Sequence, residues 1–210
     1  FGEVLVEKTF GNVEEDKAFD VIETADGNFA LTGMTNGKRD LYLLMLDKNG
    51  EELWSKSYGG IYDEVGHSII ATPDGGFAIG GVKEITPTAS QMYLVKTDSQ
   101  GVLEWDRLFG SLGSDFGRSV ALAPDGGYVL AGEFDINNAA DRTSLIPLYD
   151  MYVVKTDEEG NVFSNTIRGT VHRDLNTNCE QDTGEKTLED WLVRVRNNDA
   201  IFYATTDENG

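Results

Sequence analysis

Three segments of this chain are near copies of one another: ADGNFALTG at 25–33, PDGGFAIGG at 73–81 and PDGGYVLAG at 124–132. A fixed period of about 50 residues constrains a fold more than any single motif. Each copy must build one unit that buries its apolar face against the next. With Asp26, Asp74 and Asp125 aligned, Gly33, Gly81 and Gly132 fall in register. So do Ala18, Gly66 and Gly117, and Val21, Ile69 and Val120. After connections of unequal length come LYLLMLDKNGEELW (41–54), MYLVKTDSQGVLEW (92–105) and MYVVKTDEEGNVFS (151–164). Trp54 and Trp105 each follow their Asp by seven residues, and Ser164 takes that place in the third copy. The first two copies end at Tyr58-Gly59 and Phe109-Gly110, and Thr9-Phe10-Gly11 is the same ending, left from a copy whose body is absent.

Each copy reads as four short strands. The first is FDVIETA, HSIIATP or RSVALAP, mixing apolar and small residues without clean alternation, as a buried inner strand would. A turn centred on Asp-Gly follows, a dipeptide suited to positive φ. The second strand is NFALTG, GFAIGG or GYVLAG, and a variable loop leads to the third, LYLLMLD, MYLVKTD or MYVVKTD. The four-residue turns DKNG, DSQG and DEEG place Gly where αL is required, and the fourth strand carries the Trp. Four antiparallel strands per copy is the pattern of a β-propeller blade. The fold class expected is all-β, with blades at 12–60, 61–111 and 112–166 and residues 1–11 ending a preceding blade. Aromatic residues of the outer strands should fill the space between blades, and Ala18, Gly66 and Gly117 should mark close blade-to-blade approach. Three blades fall short of the roughly 4–8 of a closed propeller. The expectation is a chain that continues upstream; the alternatives are an open arc, or residues 1–10 supplying the outer strand of the last blade.

The 24 glycines and 4 prolines suit a fold of many tight turns. The net charge of −20 should repel nucleic-acid phosphates and anionic membranes, and no run of 18 or more apolar residues offers a membrane-spanning helix. One cysteine, Cys179, allows no internal disulfide.

After residue 166 the repeat stops. The segment 167–210 reads as strand GTVHRD, an acidic loop, then strands WLVRVRN and IFYATTD. Counted from Asp174, positions 1, 3, 5, 7, 9 and 12 are Asp174, Asn176, Asn178, Glu180, Asp182 and Glu185. This is the oxygen-donor spacing of an EF-hand-type Ca²⁺ loop, in which Glu180 would give its backbone carbonyl and Glu185 a bidentate carboxylate. Cys179 stands where such a loop normally has Gly, and no helices flank it. The competing reading is a solvated acidic hairpin loop.

The repeats resemble the tandem propeller repeats of secreted bacterial proteins. Gly80-Gly81, Tyr93 and Trp105 stand in kelch order, although only the second copy has the double Gly. The tail resembles the B-type repeats of serine-aspartate surface proteins and their prealbumin-like relatives, with His172 where Phe is usual and Asp190 where Gly precedes the Trp. The resemblance implies an incomplete β-sandwich module over 167–210, Ca²⁺ bound at the acidic loop, and export to the cell surface or medium, often by type IX secretion. It also implies adhesion or extracellular assembly, with other proteins, surface polysaccharide or further copies of the chain as partners.

No catalytic constellation is legible. His67 stands where Phe19 and Arg118 stand in the other copies, a tolerant place, and His172 occupies a core-facing position of the tail. Asp47, Asp98 and Asp157 recur with the turns, which points to turn chemistry rather than to one active site. The function expected is a non-catalytic, exported scaffold. The alternatives are a polysaccharide-acting enzyme or carbohydrate-binding propeller, and an intracellular protein-binding propeller.

Overall fold

In the computed structural model of the chain, residues 2–4, 6–11, 13, 15–35, 39–111, 113–136, 148–162, 192–196 and 201–205 are described. The chain divides into two units, Phe1–Phe163 and Ser164–Gly210. The described residues contain strands and no helix, so no helix among them is long and apolar enough to cross a membrane.

The first unit holds three antiparallel sheets. Sheet 1 comprises β1 (Lys17–Glu23), β2 (Phe29–Thr35), β3 (Asp40–Leu46) and β4 (Glu52–Tyr58), in that order. Sheet 2 repeats the order with β5 (Glu64–Ala71), β6 (Phe77–Thr86), β7 (Ala89–Thr97) and β8 (Leu103–Phe109). Sheet 3 has β9 (Phe116–Leu122), β10 (Tyr128–Asp135) and β11 (Tyr149–Lys155) among the described residues. In the second unit, β12 (Leu192–Arg196) pairs antiparallel with β13 (Ile201–Thr205). These two lie within the expected strands WLVRVRN and IFYATTD; GTVHRD lies outside the described residues.

The turns explain why each copy folds alike. In the first hairpin of each sheet, the amide of Gly27, Gly75 or Gly126 donates to the carbonyl of Thr24, Thr72 or Ala123. Those glycines have φ of 80°, 86° and 87°, in the left-handed region where a Cβ is strained. The preceding Asp does not share the positive φ that an Asp-Gly hairpin centre suggests. Its side chain works instead: Asp26 accepts from the Thr24 hydroxyl at 2.5 Å and from Asn28 Nδ2 at 2.7 Å, and Asp74 accepts from the Thr72 hydroxyl. In the later turns Asp47 Oδ1 accepts the amides of Asn49 and Glu51, both at 2.8 Å, and Asp98 Oδ1 those of Gln100 and Val102, also at 2.8 Å. Asp157 does the same for Asn161 at 2.6 Å. The recurring acids are turn chemistry, as their recurrence suggests.

One connection differs from expectation. VKEITPTASQ does not form a loop: β6 and β7 continue through it, pairing Val82 with Met92 and Thr86 with Ala89. Val82 and Ala89 are buried, so the extension is held by packing rather than left as a surface loop.

Adjacent sheets pack face to face, and the period of two along each strand decides which side chains go where. Phe77, Ile79, Tyr93 and Val95 of sheet 2 join Ala30, Leu41, Leu43 and Met45 of sheet 1 in one buried cluster. The intervening residues Ala78, Met92 and Leu94 join Val120, Tyr128, Leu130 and Val154 of sheet 3 in another. Sheet 2 is therefore apolar on both faces. Trp54 meets Phe77 edge-on at 6.3 Å and Trp105 meets Tyr128 at 5.7 Å, so the outer-strand aromatics do bridge successive sheets. The small residues behave as expected too. A Cβ at Gly66 would collide with Thr32 of sheet 1, and one at Gly117 with the Gly81 carbonyl of sheet 2.

Residues 6–10 repeat the outer-strand pattern. A Cβ on Gly101 would meet Trp54 and Lys56, and one on Gly160 would meet Trp105 and Arg107. On Gly50 it would meet Val6 and Lys8. Val6 and Lys8 thus occupy, against sheet 1, the place that the fourth strand of the preceding sheet occupies elsewhere.

Candidate functional site

The first strands of adjacent sheets touch, β1 with β5 and β5 with β9. Each carries one extra residue relative to its partner strand. The register shifts between Ala18 and Asp20, between Gly66 and Ser68, and opposite Ala131 and Gly132, so Phe19, His67 and Arg118 are the bulged residues. A β-bulge re-aims its side chain and bends the strand. The glycine facing each bulge is required by close backbone approach. A Cβ on Gly33, Gly81 or Gly132 would collide with the carbonyl of Lys17, Val65 or Phe116. The bulge also explains the broken alternation of the first strands. They are edge strands, and β1 is largely exposed rather than buried.

The three bulged residues form a row. The Phe19 and His67 rings meet edge-on with centroids 5.3 Å apart. His67 Nδ1 lies 2.7 Å from the Gly117 carbonyl oxygen. A carbonyl only accepts, so Nδ1 carries the proton and Nε2 of the neutral ring is an acceptor. Burial pushes the His67 pKa down and Arg118 pushes the same way, against the Gly117 carbonyl and Glu133, so the ring is held neutral. Arg118 Nε donates to Glu133 at 2.9 Å, and its guanidinium lies 5.1 Å from the Phe116 ring centroid. Beside the row, Asp20 accepts the Ile69 amide at 2.9 Å, tying sheet 1 to sheet 2. The row offers an aromatic edge, a hydrogen-bond acceptor and a cation.

A second recurring cluster sits at the turn end of the sheets. Lys96 is buried and donates to Asp74 at 2.6 Å, Glu104 at 2.7 Å and the Thr97 carbonyl at 2.9 Å. Lys155 repeats the arrangement with Asp125 at 2.8 Å and the Thr156 carbonyl at 2.7 Å. Met45 holds this place in sheet 1, and there Asp26 turns to Thr24 and Asn28. Burial alone would raise the Asp74 pKa, but the bonds from Lys96, Thr72 and the Gly76 amide outweigh it and hold it at about 2. A third cluster lies at the start of β5 and just before β9. Glu64 and Asp115 are fully buried. Asp115 accepts from the amides of Ser111 and Asp135, and Glu64 pairs with Lys83 at 3.2 Å. Burial raises the Glu64 pKa, against the pull of Lys83. These acids and lysines staple turns and strand ends, a role that sequence spacing did not announce.

Among the described residues, no group of three or more His, Cys, Asp or Glu side chains could share a metal ion. Asp174, Asn176, Asn178, Glu180, Asp182 and Glu185 lie outside the described residues, as do His172 and Cys179. No protein-family model matches the chain and no curated protein matches it.

Proposed function

We propose that residues 12–166 are successive blades of a β-propeller in a non-catalytic, exported protein of the cell surface or medium. In this reading the blades are a rigid scaffold for adhesion or extracellular assembly. The observation that carries it is the equivalence of successive sheet-to-sheet contacts. Sheet 2 packs on sheet 1 as sheet 3 packs on sheet 2, through matching residues and with touching first strands. Such a repeat gives stiffness by accumulating neighbour contacts. The −20 charge keeps so apolar an array soluble. The staples of Lys96 and Lys155 bind turns rather than substrates.

Ca²⁺ at Asp174, Asn176, Asn178, Glu180, Asp182 and Glu185 belongs to the same reading and rests on their spacing. It would stiffen a prealbumin-like second module. A Ca²⁺-induced melting shift that vanishes in the Asp174→Ala, Glu185→Ala double variant is its test.

The scaffold reading is tested by labelling intact and permeabilised cells of the source organism with antibody to this chain. Labelling of intact cells is expected; a signal seen only after permeabilisation overturns export. A second reading, carbohydrate recognition by the first strands, is favoured by the row of Phe19, His67 and Arg118. Saturable binding of soluble polysaccharide that is lost in Arg118→Ala would replace the scaffold by that reading.

A further inference from the structure

At the turn end, the joint between sheets 1 and 2 is built differently from the joint between sheets 2 and 3. Met45 pairs across its sheet with Trp54 and Lys96 with Trp105, so the two residues hold one place in the repeat. In sheet 2 Lys96 reaches Asp74 and Glu104, and in sheet 3 Lys155 reaches Asp125. Gly76 and Gly127 leave room for those lysines. A Cβ on Gly76 would stand 3.0 Å from Lys96 Nζ, and one on Gly127 2.8 Å from Lys155 Nζ. In sheet 1 both positions change together: Asn28 replaces the glycine and Met45 the lysine. Asn28 Nδ2 donates to Asp26 Oδ2 at 2.7 Å, as Lys96 Nζ donates to Asp74 Oδ2 at 2.6 Å. A neutral amide thus stands in for the ammonium group, and a thioether for its stem.

Beside these residues a groove of about 810 Å³ opens between the two sheets. Sites for small molecules span roughly 300–1,000 Å³. The lining residues and their neighbours along the chain all lie among the described residues. Trp54, Leu53, Met45 and Phe77 form its apolar wall. Half-exposed Leu53 stands where sheet 2 has Glu104, and Ser99 and Gln100 of the facing turn stand where sheet 3 has Glu158 and Glu159. Four charged residues of one joint are therefore neutral at the other, and Asp26 is the one charged residue in the groove lining. The Thr24 hydroxyl above all holds the Asp26 carboxyl below its ordinary pKa, so it stays an ionised acceptor.

We infer that this groove binds a neutral polysaccharide, one sugar ring lying against Trp54 and Leu53 with its hydroxyls bonded to Asp26, Asn28 and Gln100. Amide groups both donate and accept, and so does each sugar hydroxyl. The partly buried Trp54 offers the apolar surface that the C–H face of a pyranose covers. The lone carboxylate and the net charge of −20 work against an anionic chain. The inference stands on the groove and not on export or blade count, so surface labelling and sugar binding are read separately. It also differs in place from the row of Phe19, His67 and Arg118.

The test is calorimetric titration of the full chain with neutral trisaccharides of glucose, mannose, galactose and xylose, beside trigalacturonate and trilysine. At least one neutral trisaccharide should bind with a Kd of about 1 mM or tighter, and at least about tenfold more tightly than trigalacturonate. Trp54→Ala should weaken that binding by at least about tenfold and Gln100→Ala by about threefold. Because Trp54 also packs on Phe77, a second variant keeps the fold. Met45→Lys with Asn28→Gly installs the arrangement of sheets 2 and 3, and it should melt near the parent and bind at least about tenfold more weakly. Four results would each overturn the inference. They are no binding by any neutral probe, preference for trilysine or trigalacturonate, parental affinity in the folded double variant, and loss of binding in Arg118→Ala with none in the double variant.

Discussion

Met92 and Met151 hold the same place in sheets 2 and 3, yet one is fully buried and the other is 96% exposed. The two sheets share turns, bulge and register, and they differ in what lies beyond them. Sheet 2 has a neighbour on each face; sheet 3 has one on its inner face among the described residues. The repeat thus encodes a sheet with two apolar faces. Burial is a property of the array rather than of the copy.

The largest effect that can break this comparison is a pair of truncations at matched positions. Leu94→Ala should cost about 2–5 kcal/mol in urea unfolding, since it opens a cavity between sheets 2 and 3. Val153→Ala, its counterpart, should fall within about 0.5 kcal/mol in the monomer. Equal costs would mean that the two faces are alike after all.

A smaller contrast lies in the lysine staples. Lys96→Met installs the residue that sheet 1 uses and should cost about 1 kcal/mol, kept small because Asp74 and Glu104 stay about half exposed and are rehydrated. Lys155→Met should cost less, because Lys155 is itself 42% exposed. Denaturant midpoints of the two variants compare them directly.

The smallest effect is on pH. The Asp74 pKa is depressed to about 2, so its contribution is present above 3.8 and is lost as pH falls from 3.8 through 2. Glu64 has the opposite sign. Its folded pKa is raised, so protonation at low pH relieves a cost that ionisation imposes above 4.5. Melting followed from pH 5 to pH 2 should show a modest acid loss in the parent chain and a reduced one in Lys96→Met. An unchanged acid limb in that variant would remove Asp74 from the account.

The strands were legible because Asp-Gly and Asp-x-x-Gly turns punctuate them at a fixed period. The close approach at Gly66 and Gly117 was legible because small residues recur there without a turn to explain them. The extension of β6 and β7 was not, since Pro87 and the flanking Thr and Ser residues read as loop while the stabilising contacts of Val82 and Ala89 are distant in sequence. The bulges at Phe19, His67 and Arg118 were hidden too. One extra residue breaks alternation in the same way that two-sided burial does. Lys96 finds its acids 22 and 8 residues away, a pairing that depends on the hairpins already being formed.

The fourth-strand place taken by Val6 and Lys8 has a consequence for how such a chain can lengthen. A duplicated segment of about 50 residues, spliced in after an aromatic-Gly ending, would meet on either side the surfaces its parent met. Growth by gene duplication would then keep the residues of each joint, while the angle between neighbouring sheets would adjust wherever the array closes into a ring.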